Sequence, residues 1–184
     1  MRYSRRLATL AATAATLSLT VAAPASAGVT ACSSSSATTP PTQRTVDQVE
    51  RTVLCLVNRE RTRRGLKKLR SDRRLAKAAT RHSRDMVRRG YFEHVSPGGG
   101  TMQDRIKAAG WFRGNGSFAF AENIAWGSGS LASAKNIVES WMESSGHRHN
   151  ILNGRYRQLG VGIALGTPRE LDGATYTTNF GFKG

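Results

Sequence analysis

The stretch SSGHRHNIL, residues 144–152, places His147 and His149 two apart, behind a glycine and ahead of an asparagine. Imidazoles so placed suit three uses: metal ligation, proton transfer to a substrate, or hydrogen bonds that hold a turn. Two further histidines exist, His82 and His94. His94 follows an aromatic pair in YFEH and precedes the loop SPGGG, and His147 follows Gly146 just after an expected helix end. Such positions suit polar groups that face a cleft. His82 shares a stripe with Leu75, Ala79 and Met86, so it reads as a half-buried helix residue before it reads as a ligand. Ser96 and Ser144 offer hydroxyls for a serine hydrolase, but neither sits in a GxSxG-like elbow, and no HExxH run is present.

The elements that must position these groups follow from periodicity. Val46, Val49, Val53, Leu56 and Val57 recur at helical spacing in a segment ending near Gly65. A second helix is expected after Ser71 as N-cap, stopping at Gly90. TMQDRIKAAG reads as a short helix capped by Thr101 and stopped by Gly110, and a short strand or turn is expected around residues 121–126. SLASAKNIVESWMESSG carries an apolar stripe through Leu131, Ala134, Ile137, Val138, Trp141 and Met142. QLGVGIALG and ATYTTNFGF read as two strands, with Val161, Ile163 and Leu165 alternating. Helices flank strands without a regular βαβ order, so the class is α+β.

The ends and the charge bound the setting. Residues 1–27 carry Arg2, Arg5 and Arg6, a 17-residue uncharged run over 7–23, and Ala25-Ser26-Ala27. This is the pattern of a secretory signal cut after Ala27, too weakly apolar for a membrane span. No other segment is apolar enough to cross a bilayer. VTAC, residues 29–32, resembles a lipoprotein box, an alternative that would place a lipid on Cys32. Residues 28–45 read as a Ser/Thr/Pro-rich floppy tail and residues 46–184 as one domain. Cys32 and Cys55 are the two cysteines, and an even count in an exported chain reads as a disulfide, contributing ~3 kcal/mol. The formal net charge is +16, of which residues 51–90 supply +12 through 15 Lys or Arg against Glu60, Asp72 and Asp85. These cations fall off the apolar faces and so read as surface charge. They suggest affinity for an anionic cell-wall polymer, an acidic lipid or a host component, or else a solvated face in an arginine-rich chain. There is no nucleic-acid motif, and a monomer is expected.

The order of landmarks carries more than any one of them. YFEH, PGGGT, AENIAWG, VESWMESSGHRHNIL, GVGIA and YTTNFG occur in that sequence, and VNRERTRRGLKKL and LAKAATRHSRDM fit two opening helices. The chain resembles the bacterial secreted branch of the CAP superfamily, the SCP-like extracellular domains, over about residues 50–182. The resemblance implies a three-layer α-β-α sandwich with a cleft of two histidines and two acids. It assigns His94 as the first histidine, Glu122 of AENIA as the first acid, and His147 as the second histidine, with His149 left at the surface. Eukaryotic members carry a second acid where Ser144 stands here. Glu143 is one step away but rotated by ~100° on a helix. Asn123, Glu143 and Ser144 are the expected neighbours of the trio. Two imidazoles and a carboxylate are ligands that a divalent metal such as zinc accepts with a position left open; the same three can also hydrogen-bond one another and order their loops. The resemblance implies a secreted, non-enzymatic binding or interaction module, with a metal- or serine-dependent hydrolase as the alternative.

Overall fold

The structure is a computed structural model that describes residues 32, 34–112, 116–169 and 172–184. The expected signal segment, residues 1–27, lies outside the described residues. Eleven elements follow in order: α1 Ser34–Thr38, α2 Val46–Thr62, β1 Arg70–Ser71, α3 Arg73–Arg89, α4 Met102–Ala108, β2 Phe118–Ser128, a 3-10 turn Gly129–Ala132, α5 Ala134–Glu143, α6 Ser145–Leu152, β3 Gln158–Leu165 and β4 Gly173–Lys183. The four strands form one mixed sheet in the order β1-β3-β4-β2, with β1 parallel to β3 and the other pairs antiparallel. Helices cover both faces, which makes this an α+β three-layer sandwich.

The two faces of the sheet are chemically unlike. Leu159, Val161 and Ile163 of β3 and Tyr176 and Phe180 of β4 join Val49, Val53, Leu56 and Val57 of α2 and Ile137, Val138 and Trp141 of α5 in the main core. The alternate residues on the other face are Gly160, Gly162, Thr177, Asn179 and Gly181, and α3 lies against them. A Cβ on Gly160 would stand 2.1 Å from Ala76 N, and one on Gly162 2.1 Å from Thr80 N. Real Cβ atoms never come so close to backbone, so these glycines are what lets the helix touch the sheet. Polar bonds fix the contact: Ser83 Oγ donates to Gly162 O at 2.9 Å and lies 2.8 Å from Thr177 Oγ1, and Asn179 Nδ2 donates to Leu75 O at 3.2 Å. Leu75, Ala78, Ile106 and Trp111 complete a smaller core on this side.

Four expectations change. The helix expected after Ser71 is capped by Asp72, whose side chain accepts from Arg74 N and Leu75 N, because Ser71 is drawn into β1 beside β3. The short strand expected at 121–126 runs the full eleven residues of β2, zipped along β4 from Phe118 to Ser128. His147 follows the end of α5, as expected, but lies inside a further helix, α6, which starts at Ser145 with Ser144 as its N-cap. The floppy tail is partly helical: Cys32 is bridged to Cys55, and α1 seats Ser36 and Ala37 against α2, with Ser36 Oγ 2.7 Å from Thr52 Oγ1. A covalent anchor on α2 and a paired hydroxyl are enough to order a polar segment. The folded unit thus takes in this segment as well as the residues from 46 onward. The bridge also uses the thiol on which the VTAC reading would place a lipid.

If α3 depends on those glycines, Gly162→Ala should destabilise the fold by at least about 2 kcal/mol in urea unfolding, because the added methyl meets helix backbone and not a flexible side chain. A change within about 0.5 kcal/mol would show that α3 is not held at that distance.

Candidate functional site

β2 is an edge strand, and its even-numbered residues face α3 and α4 while its odd-numbered ones join the main core. Glu122 is therefore placed on the α3 side at the middle of the edge, with its side chain only 2% exposed. A carboxylate so deeply placed requires cationic or hydrogen-bonding partners. Arg105 supplies them from α4. Its Nη2 donates to Glu122 Oε2 at 2.9 Å and to Oε1 at 3.0 Å, and the same guanidinium donates to His94 O at 3.0 Å and Gly100 O at 3.1 Å. One side chain thus neutralises the acid and ties down both ends of the loop that bears His94.

His94 closes the arrangement from above. Its Nδ1 is 2.9 Å from Glu122 Oε1, and because the ionised carboxylate only accepts, Nδ1 carries the hydrogen. The lone pair on Nε2 is left for the exterior, and the side chain is half exposed. His82 stands behind. It is fully buried on α3, its Nε2 donates to Glu93 O at 3.0 Å, and it lies 3.7 Å from Glu122 Oε1. Burial lowers its pKa, with Glu122 pulling the other way and Arg105 adding to the lowering. The ring is neutral at pH 7, so the 3.7 Å approach is a packing contact and not an ion pair.

His147 comes from the opposite layer, on α6. Its carbonyl accepts from Asn123 Nδ2 at 3.1 Å; Asn150 Nδ2 donates to Asn123 Oδ1 at 2.9 Å and to Glu122 O at 3.3 Å. These amides dress the free edge of β2 and fix α6 across it. The His147 imidazole is lowered in pKa by burial first and by the charge of His94 second. The far end of α6 is held by Arg61, fully buried on α2, whose Nη1 donates to Ile151 O at 2.7 Å and Asn153 O at 2.9 Å and whose Nε donates to Lys67 O at 2.9 Å. A guanidinium satisfies the terminal carbonyls of a helix and matches the negative end of its dipole.

Among the sequence candidates, the structure bonds His94 to Glu122, places His147 on α6 across the strand, and makes Asn123 the tie to α6. Ser144 is the joint between α5 and α6, and Glu143 is exposed on a groove shared with Arg59 and Arg63. His149 is exposed. Ser96 Oγ lies 3.0 Å from the Tyr91 hydroxyl, which donates to Asp85 Oδ2 at 2.7 Å; among the described residues no hydrogen bond joins Ser96 or Ser144 to a histidine. Two contributors are not evident from the sequence. Arg61 falls among the surface cations of residues 51–90 and is instead buried under helix carbonyls. Arg105 carries no motif of its own, although it shares a helix side with Met102 and Ala109, which pack on the smaller core. A cation on an apolar stripe is the signal that an acid waits opposite.

A family model described as the cysteine-rich secretory protein family, CAP, matches residues 54–179. The chain belongs to the CAP family. Over 126 residues it is 40% identical to the uncharacterized protein YkwD of Bacillus subtilis (strain 168), covering 68% of this chain and 46% of that one. It is 38% identical over 132 residues to the uncharacterized membrane protein YlbC of the same organism, covering 71% and 34%. The chain thus spans less than half the length of the curated relatives it matches. A solved extracellular SCP-domain protein of Bacillus anthracis str. Ames aligns with a TM-score of 0.61 at 32% identity, over 77% of this chain and 44% of that one. An outer surface protein of Borrelia burgdorferi aligns at 0.59 and 21% identity, over 73% and 92%, and shares the CAP fold. Among the described residues no helix is long and apolar enough to cross a membrane.

The depressed pKa of His82 fixes the sign of a pH effect. Protonation favours the unfolded chain, so the contribution of this residue is present above the unfolded pKa and is lost as pH falls through it. The stability advantage of wild type over His82→Gln should therefore narrow between about pH 7.5 and about pH 5 in thermal unfolding. An advantage that stays constant across that range would contradict the neutral, buried assignment.

Proposed function

We propose that this CAP domain is an exported, non-enzymatic binding module whose ligand seat is the cleft of His94, Glu122 and His147. The disulfide and the extracellular relative support export. The observation that carries the binding reading is the double hold of Arg105 on Glu122. With its charge matched and one oxygen also bonded to His94, the carboxylate acts as an internal scaffold that aims His94 Nε2 outward. The His147 ring then offers a second polar edge from across the strand.

The same residues are the expected donors for a divalent ion such as zinc, and the fit is poor. A cation on Glu122 would have to displace a guanidinium, and among the described residues no three His, Cys, Asp or Glu side chains gather as a metal site. We therefore derive no step through a metal. One feature favours the hydrolase reading: an acid bonded to Nδ1 of an imidazole is the pair that activates a serine in hydrolytic triads. Here the pair lacks a hydroxyl bonded to the imidazole, so the cleft is read as a seat for a ligand group that donates to His94.

Retention on isolated bacterial wall material, read at about 0.5 M salt so that exposed charges are screened, tests this reading. Wild type should be retained, and His94→Ala and His147→Ala should each elute at least about tenfold more readily, equivalent to one lost hydrogen bond of about 1.4 kcal/mol. Turnover of peptide, ester or wall substrates that disappears in His94→Ala would instead establish an enzyme.

A further inference from the structure

The positive charge of this chain is not spread evenly over its exposed surface. On α3 it forms a row. Arg73, Lys77, Arg81, Arg84 and Arg88 are all exposed and follow one another at steps of four, four, three and four residues. At ~100° per residue these five positions fall within an arc of about 80°, and the row extends about 22 Å along the helix axis. The opposite face of the same helix holds Leu75, Ala78, Ala79, His82 and Met86 against the sheet, all buried. Arg88 shares Asp85 with Arg89, at 2.8 and 3.6 Å. Arg73, Lys77, Arg81 and Arg84 make no ion pair among the described residues.

Helix stability does not account for this row. Arg73 and Arg74 occupy the first turn, which contains no acid, and there a cation opposes the helix dipole. Arg73–Lys77, Lys77–Arg81 and Arg84–Arg88 are like-charge pairs at i,i+4, each destabilising by about 0.2–0.5 kcal/mol. Both penalties vanish when an anion lies along the row. The helix is held rigid beneath it by the glycine contact with β3, so the spacing of the cations is fixed in advance of binding.

We propose that the exposed face of α3 is a binding rail for a linear polyol phosphodiester, a flexible chain with one phosphate per short alcohol spacer. Such a polymer carries single charges at an interval close to the roughly 6 Å between successive cations of the row. The alternatives fit less well. No aromatic side chain lies on this face to stack a base, which single-stranded nucleic acid requires. No apolar side chain is interleaved to enter a lipid layer, because every large apolar residue of α3 apart from the half-buried Val87 is turned into the core. Arg89, next in the chain but turned about 100° from the row, is occupied elsewhere: its Nη2 donates to Pro97 O at 2.7 Å and its guanidinium lies over the Tyr91 ring. This inference rests on the reading of the chain as an exported binding module, but its site is separate from the cleft.

The test uses a synthetic glycerol-phosphate oligomer as the probe and a variant with Arg73, Lys77, Arg81 and Arg84 all changed to Gln. Wild type should bind with an affinity that falls steeply from about 50 mM to about 200 mM salt, and the variant should bind at least tenfold more weakly with a log–log salt slope shallower by about three. The variant should melt no lower than wild type at low salt, since it loses repulsive pairs, and this separates lost binding from lost folding. His94→Ala should bind the oligomer as wild type does. Unchanged binding by the neutralised variant would overturn the rail. Loss of binding in His94→Ala with none in the neutralised variant would move the ligand to the cleft, overturning the rail while keeping the binding-module reading. Equal or tighter binding of inorganic phosphate, of anionic phosphatidylglycerol vesicles or of single-stranded DNA of equal charge would overturn the choice of polymer.

Discussion

A carboxylate at the middle of an edge strand, nearly cut off from water, is the constraint around which this domain is arranged. Glu122 cannot stay ionised there without partners, and the two partners come from separate parts of the chain, Arg105 from α4 and His94 from the loop before it, while neutral His82 only packs behind from α3. Arg105 and His82 each serve a second purpose. Arg105 also binds the carbonyls of His94 and Gly100, and His82 also binds that of Glu93, so the acid orders the loop that presents the outward imidazole. Removing any one of them would leave an unmatched charge or an untethered loop. The cleft is therefore a consequence of burying one acid.

The second requirement is that α3 sit close enough to place His82 behind that acid. Gly160 and Gly162 meet it by leaving the strand without a side chain at two positions under the helix, and Ser83 and Asn179 convert the contact into hydrogen bonds. The opposite layer is held by different means. Asn123 and Asn150 dress the strand edge, and buried Arg61 takes the carbonyls at the end of α6. His147 is thus carried by α6, in the layer opposite the one that holds His94. Two arginines, one under each layer, fill roles inside the protein that their type would assign to its surface.

Much of this is legible in the residues. Helix stops at Gly90 and Gly110, the Thr101 cap, the apolar rhythm of α2 and the two final strands all follow from local rules, and the landmark order points to the CAP fold and to His94, Glu122 and His147. What is not legible depends on contacts distant in sequence. The length of β2 is set by its pairing with β4, and the order in α1 by a bridge and a hydroxyl pair with α2. Arg61 and Arg105 look like their solvent-exposed neighbours because composition does not record which cation has carbonyls or a carboxylate opposite it. The exposed row on α3 is the converse case. Its helical spacing is written in the sequence, and the structure adds that none of the described residues lies over it.

The arrangement turns on Arg105 answering the charge of Glu122, so that His94 keeps its hydrogen on Nδ1 and turns Nε2 outward. Imidazole nitrogen NMR of the intact protein, recorded with and without added zinc, reads this state. His94 should show the Nδ1–H tautomer at neutral pH, with its Nε2 resonance and that of His147 unmoved by an equivalent of zinc. A joint shift of both histidines to metal-bound positions in the wild-type protein would contradict it.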